Sequence, residues 1–331
     1  MKNQNKFYPE LSESFDLLIK SSVGKNIAII GHMRPDGDCI GSQIALASVM
    51  RDAGAKNVIC LNKHEVPSLY TKYAEGETFI SADDFNDLSY EIIAVDCADY
   101  SRTSEFIKEK FPIPLCAIDH HINDTKYAKI NLICQTSSAT CELIAGMLFD
   151  ANIKINKKIA NALYVGMVMD TRQFTTNSTS AKTFEIAAEL AKAGANIAQV
   201  AIDLYQRERY AKVKLLSCYL NSIELYSNNK ICGGVLYMKD FAECGALKED
   251  SDGLVDYARA IDNVEASFLI EELPTGAKAS LRCKDPKYAM NLVAQNFGGG
   301  GHACASGCNS TMNVEDFKKA LVAKISEALK I

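Results

Sequence analysis

The chain has 331 residues, 23% of them charged, with a formal net charge of −5. At about 100–200 residues per domain this length points to two domains, each able to bury a core. The mildly acidic balance excludes the broad positive field that grips long nucleic acid, so an anionic substrate has to be captured locally by metal ions and a few arginines.

The first half alternates strand-like and helix-like segments. Residues 27–31 form a short apolar run, 40–53 carry helical spacing closed by Gly54, and 58–61 form a second short run, which together read as a βαβ unit. Runs at 92–96, 115–119 and 130–133 continue the pattern, predicting a mostly parallel sheet with helices on both faces. Helices are expected at 141–149, 157–169 and 180–193, the last closed by Gly194. Residues 198–227 read as a charged helical connector. After residue 228 the pattern changes to a strand at 231–238, a hairpin of 266–273 with 277–282 around Pro274-Thr275-Gly276, a short helix at 288–297 and a closing helix at 314–329. The expected class is therefore α/β, with a first domain over 1–195, a helical linker over 196–228 and a smaller α+β domain over 229–331.

The twelve cysteines include no Cys-x-x-Cys pair, and the opening residues contain no apolar signal core. With no apolar run near the roughly 20 residues of a membrane span, a reduced, cytoplasmic setting without a membrane partner is expected. Cys304 and Cys308 read as small buried residues in preference to zinc ligands.

Acids and histidines recur just after the apolar runs: His32, Asp36 and Asp38, then Asp96, then Asp119-His120-His121, then Asp170. Ligands of open α/β sheets bind beyond the carboxyl ends of the strands, where these groups fall. Pro35 and Gly37 turn the first loop, and carboxylates two residues apart there can diverge towards neighbouring ions. Hard divalent cations take carboxylate oxygens, and manganese or iron accepts imidazole as well. Each aspartate could instead cap a helix or a turn, the reading preferred for Asp99. Asp96 follows a strand buried on both sides, where a carboxylate costs several kcal/mol without compensation; that marks it as a bridging ligand. Two metals about 3.5–4 Å apart clamp a phosphoryl group and activate water, so the chemistry implied is phosphoester hydrolysis.

The set His32-x3-Asp36-x-Asp38, Asp96, Asp119-His120-His121 and Asp170 resembles the four motifs of the DHH phosphoesterase superfamily. Gly298-Gly299-Gly300-Gly301-His302 resembles the GGGH signature of the DHH-associated C-terminal domain. The combination looks most like the compact oligoribonuclease and pAp phosphatase branch, the nano-RNases. The resemblance implies two Mn2+ ions, with Mg2+ or Co2+ as substitutes. His32 and Asp36 would hold the first, Asp38, His120 and Asp170 the second, and Asp96 would bridge them. It also implies catalytic roles for His121, facing the substrate phosphate, and for Asp119, supporting the histidines. Arg282, Gly298, Gly299, Gly300, Gly301, His302 and Arg102 would bind substrate. Short RNA oligonucleotides, dinucleotides and pAp are the implied substrates, recognised across a cleft, with a cyclic dinucleotide (c-di-AMP) or its linear product as the alternative. A homodimer stays open.

One departure stands out: Asp170-Thr171-Arg172 replaces the family's Asp-Thr-Gly. Arg172 reads equally as a phosphate contact or a solvated side chain. Arg34 reads as solvated, Ser137-Ser138-Ala139-Thr140 as a helix start, and Phe174 and Tyr257 as core residues before base-stacking ones.

Overall fold

The short apolar runs become strands of two sheets in a computed structural model that describes residues 6–121 and 126–330. The chain divides into two compact units, Met1–Gln206 and Arg207–Ile331.

In the first unit the strands are β1 (Asn26–Ile30), β2 (Asn57–Asn62), β3 (Phe79–Ser81), β4 (Tyr90–Val95), β5 (Cys116–Asp119) and β6 (Ile130–Ile133). They lie in the order β3-β2-β1-β4-β5-β6 with every pairing parallel. Because side chains alternate across a strand, Ile27 and Ile29 enter one apolar layer while Ala28 and Ile30 enter the other. The order reverses direction between β1 and β4, which creates a crevice at their carboxyl ends.

The helices of this unit are α1 (Ser12–Ser22), α2 (Gly37–Asp52), α3 (Thr71–Ala74), α4 (Glu105–Lys110), α5 (Thr140–Asp150), α6 (Lys157–Asp170), α7 (Ala181–Lys192) and α8 (Ile197–Tyr205). Residues of α1, α2, α5, α6, α7 and α8 fill the larger layer, and Ile107 of α4 belongs to the smaller one. Helix α2 packs closely on α6: a Cβ at Gly41 would lie 2.3 Å from the Ala162 carbonyl oxygen, so only glycine permits this approach. Helix α2 begins three residues before the apolar pattern suggests. Its start is set by Asp36, whose Oδ1 accepts the amides of Asp38 and Cys39 at 3.0 and 3.1 Å. Helix α1, which buries Phe15 and Leu18 one turn apart, has a helical apolar pattern that the sequence reading passes over, and β3 is only three residues long.

The connector expected over 198–227 is not one helix. Helix α8 ends at Tyr205 in the first unit, and the second unit opens with α9 (Tyr210–Ser222) and β7 (Glu224–Tyr226). There follow β8 (Ile231–Leu236), α10 (Met238–Cys244), α11 (Val255–Arg259), β9 (Ala266–Glu272), β10 (Ala277–Cys283), α12 (Met290–Gln295), β11 (Gly300–His302), β12 (Ala305–Ser310) and α13 (Val314–Leu329). The strand expected to reach residue 238 stops at Leu236, since Asp240 accepts the Tyr237 amide at 2.7 Å and starts α10. The sheet order is β11-β12-β10-β9-β8-β7, parallel only between β8 and β9. Helices α12 and α13 cover one face, α9 and α11 the other.

Among the described residues no helix is long and apolar enough to cross a membrane.

Candidate metal centre

Four ends of regular structure meet at the crevice between β1 and β4. His32 lies just past β1, Asp36 and Asp38 lie at the start of α2, Asp96 follows β4, and Asp119-His120-His121 closes β5. Asp170, the last residue of α6, completes the group. Three sets of potential ligand atoms lie within 4.8 Å of one another: His32, Asp36 and Asp96; Asp38, His120 and Asp170; and Asp96, His120 and His121.

Asp96 stands between the first two sets. Its Oδ2 is 3.4 Å from His32 Nε2, and its Oδ1 is 3.7 Å from His120 Nε2. The backbone takes φ 54 there, a left-handed conformation that aspartate tolerates better than most residues. The turn aims the carboxylate back across the strand ends.

Both inward-facing imidazoles are oriented from behind. His32 Nδ1 meets the Met33 carbonyl at 2.9 Å, and His120 Nδ1 meets the Ser137 carbonyl at 3.2 Å. A carbonyl only accepts, so each Nδ1–H donates and each Nε2 is turned into the cluster. His120 Nε2 lies 3.1 Å from Asp170 Oδ2 and 4.0 Å from Asp38 Oδ2. Asp119 does not back both histidines, as the sequence suggested: its Oδ1 meets His121 Nδ1 alone, at 2.7 Å. The Ser137 carbonyl takes the place expected of Asp119 behind His120. A backbone acceptor leaves no residue-type signal, so nothing in the sequence marked it.

Asp38 is fully buried, and the N-terminus of α5 holds it. The amides of Thr140 and Cys141 donate to its two oxygens at 2.7 and 2.8 Å. The Thr140 hydroxyl donates to Asp96 Oδ1 at 3.1 Å. Residues 140 and 141 therefore serve the cluster as well as starting a helix.

The electrostatics show a cluster short of positive charge. Burial, then the charges of Asp96 and Asp170, push the Asp38 carboxyl well above the usual range. Burial, with repulsion from Asp96, raises Asp170 despite its hydrogen bond to His120. Burial disfavours protonated His32, but hydrogen bonds and attraction to Asp36 and Asp96 outweigh it and push its pKa up to about 10. His120 is likewise pushed up to about 10, with Asp170, Asp38 and Asp96 overcoming desolvation. The hydrogen bond to Asp119, against burial, raises His121. Desolvation opposes the charge on Asp36, yet His32 and two backbone amides hold its carboxyl below the usual range. Several carboxylates crowded around imidazoles, with no thiolate in any of the three sets, make a donor set suited to divalent manganese, magnesium or iron. The buried Asp119 Oδ2, which has no hydrogen-bond partner, is one further unsatisfied acceptor beside them.

Other expected residues lie further out. Arg102 and Arg34 have exposed side chains; the Arg102 carbonyl accepts the Met33 amide at 2.6 Å, so it is its backbone that steadies the His32 loop. Asp99 accepts the Ser101 amide and hydroxyl, as a cap does. Phe174 is half-buried against Tyr164 and Phe184. Arg172 is exposed and has φ 45, a left-handed conformation that glycine adopts freely and arginine only with local strain.

In the second unit Arg282 pairs across β10 and β12 with Ala305, and Ala305 pairs in turn with His302 of β11. Directly paired residues share a face, so Arg282 and His302 stand on one side of the sheet with a small residue between them, about two strand spacings or 9–10 Å apart. His302 is exposed and Arg282 half-buried. A Cβ at Gly299 would lie 2.2 Å from the Gly307 carbonyl, and Gly301 has φ 134; the glycines make this edge hairpin feasible. Gly298 and Gly300 are exposed with open space beside them. Among the described residues Cys304 and Cys308 join no metal-binding set.

The DHH family N-terminal domain model matches residues 26–167, and the DHHA1 domain model matches 234–330. The chain belongs to the DHH family. It is a DHH-type phosphoesterase with a DHHA1 domain. Curated relatives include the probable bifunctional oligoribonuclease and PAP phosphatase NrnA of Streptococcus mutans, 27% identical over 89% of this chain and 92% of that protein. The bifunctional oligoribonuclease and PAP phosphatase NrnA of Bacillus subtilis is likewise 27% identical, with the same coverage of each chain. The fold is shared with an exopolyphosphatase-related protein of Bacteroides fragilis, at a TM-score of 0.83 and 22% identity over 97% of this chain and 98% of that one.

Proposed function

We propose that this DHH phosphoesterase hydrolyses very short RNA oligonucleotides and pAp with two manganese ions. The observation that carries the two-metal reading is Asp96, whose oxygens face separate ligand sets, one around His32 and one around His120. In this reading His32 and Asp36 hold one ion, Asp38, His120 and Asp170 the other, and Asp96 both. Two such ions would supply Lewis-acid activation of water and neutralise charge on the phosphoryl group. The protein's own groups do the rest. The carbonyls of Met33 and Ser137 keep the Nε2 lone pairs of His32 and His120 pointed inward. The α5 amides hold Asp38. His121, its Nδ1 committed to Asp119 and its side chain 39% exposed, is free to meet a phosphate oxygen through Nε2.

The substrate class is supported by the relatives named for oligoribonuclease and PAP phosphatase activity, which match both units. Arg282 and His302 are assigned to the substrate's phosphate, because a guanidinium and an imidazole on one face of the sheet, about two strand spacings apart, can flank an anion, and the exposed glycines leave room for one.

The test is a manganese-supported hydrolysis panel of labelled RNAs of graded length, pAp, c-di-AMP and pyrophosphate. Dinucleotides and pAp are expected to turn over fastest, and faster turnover of c-di-AMP or pyrophosphate would overturn the substrate assignment. In the same panel His302→Ala is expected to lower kcat/KM for dinucleotides about 10–100-fold, the worth of one hydrogen bond to a charged group. Its bound manganese should be unchanged. Loss of metal from this variant would remove His302 from the role given to it.

A further inference from the structure

A phenol and a carboxylate that take no part in the metal cluster are bound to the loop that holds it. Tyr8 and Glu142 are both at 0% exposure. Glu142 Oε1 accepts the Tyr8 hydroxyl at 2.8 Å. Glu142 Oε2 accepts the Ser138 hydroxyl, and the Ser138 amide at 3.3 Å. The Tyr8 oxygen also lies 3.1 Å from Ser137 Oγ.

The segment bearing Tyr8 is itself fastened. Asp150, at the end of α5, accepts the amides of Phe7 and Tyr8 at 2.7 and 2.6 Å. Lys182 of α7 donates to the Phe7 carbonyl at 3.0 Å and sets its ammonium 4.2 Å from the centre of the Tyr8 ring. Helix α5 is bare where that ring lies: a Cβ at Gly146 would come within 2.4 Å of it. Several independent contacts thus converge to place one phenol.

The same loop carries the groups that hold the metal-site residues. The Ser137 carbonyl orients His120, the Thr140 and Cys141 amides hold Asp38, and the Thr140 hydroxyl holds Asp96. We propose that Tyr8 and Glu142 are positioning residues of the metal centre, fixing loop 137–141 so that its donors and its one carbonyl hold Asp38, Asp96 and His120 in ligating geometry. A buried carboxylate satisfied by three donors resists displacement, because each donor it released would be left unpaired. The inference rests on the metal reading above.

The test uses full-length Tyr8→Phe and Glu142→Gln, with Tyr219→Phe as a control. Tyr219 also loses a buried hydroxyl bond, the 2.9 Å one to the Phe268 carbonyl, but in the second unit. Manganese affinity is read by competition with a chelating dye, alongside thermal melting of metal-free protein. Tyr8→Phe is expected to weaken manganese binding about 10-fold or more, as losses of outer support do, while its Tm falls by only about 2–4 °C. Glu142→Gln should weaken binding further. Tyr219→Phe should lower Tm similarly and leave affinity unchanged. Tyr8→Phe binding manganese as tightly as wild type, or Tyr219→Phe weakening it equally, would overturn the proposal. Wild-type protein that fails to bind manganese would instead overturn the metal reading, and this inference with it.

Discussion

Asp96→Asn is expected to remove hydrolysis and bound metal together. Asparagine accepts the left-handed backbone at φ 54 as readily as aspartate does. Its amide oxygen can still take the Thr140 hydroxyl bond. The fold should therefore survive. What changes is the ligand: with the amide oxygen kept beside Thr140 and His120, the NH2 donor takes the place of Oδ2, and the set around His32 loses an acceptor. Removing one charge relieves the repulsion that raises the Asp38 and Asp170 carboxyls but also removes the attraction to His32 and His120, so the two effects oppose each other and the metal-free variant should melt within about 4 °C of wild type. Its kcat/KM should fall by more than the about 100-fold that loss of an outer-sphere partner costs. Bound manganese after gel filtration should drop by at least one ion per chain. Near-normal turnover in a folded Asp96→Asn protein would dispose of the bridging assignment.

Gly41→Ala is expected to have the largest effect on folding. Its new methyl would sit 2.3 Å from a backbone oxygen, that of Ala162, and 2.9 Å from Cys141 Sγ; a carbonyl inside α6 cannot rotate away. The helices must separate, and overpacking of this kind costs about 1–3 kcal/mol. For a unit of this size that corresponds to a Tm lower by roughly 2–4 °C per kcal/mol. The displacement also reaches the site, because α2 carries Asp36 and Asp38 at its start and α6 carries Asp170 at its end. Weaker manganese binding should accompany the lower Tm. An alanine variant with wild-type melting would show that the two helices are less closely seated than the structure has them.

The acids of the cluster are legible in the sequence for a physical reason. A parallel strand buried on both faces has no polar residue until it ends, so an aspartate just past an apolar run marks the carboxyl edge of the sheet, as Asp96 and Asp119 do. For Asp36 the ligand and cap readings do not compete: it caps α2 and lies in the cluster at once. The parts that could not be read depend on partners distant in sequence. Tyr8 and Glu142 are ordinary residues until folding brings them together, and the Ser137 carbonyl is invisible to any residue code. Strand β3 is too short to establish a period, and α8 and α9 together give a helical pattern whose break at 206–209 is decided by membership of different units.

The strand order has a consequence for how the centre comes into being. Its members run from His32 to Asp170 and come from β1, β4 and β5 and from opposite ends of α2 and α6, so no short fragment of the chain contains a site. An unfolded chain offers a cation only scattered carboxylates, whereas the folded unit offers all of them at once. Binding therefore selects the assembled first unit and adds its free energy to that unit's cohesion. Metal loaded in this way acts as an inorganic cross-link between parts of the chain that local sequence alone could never bring together.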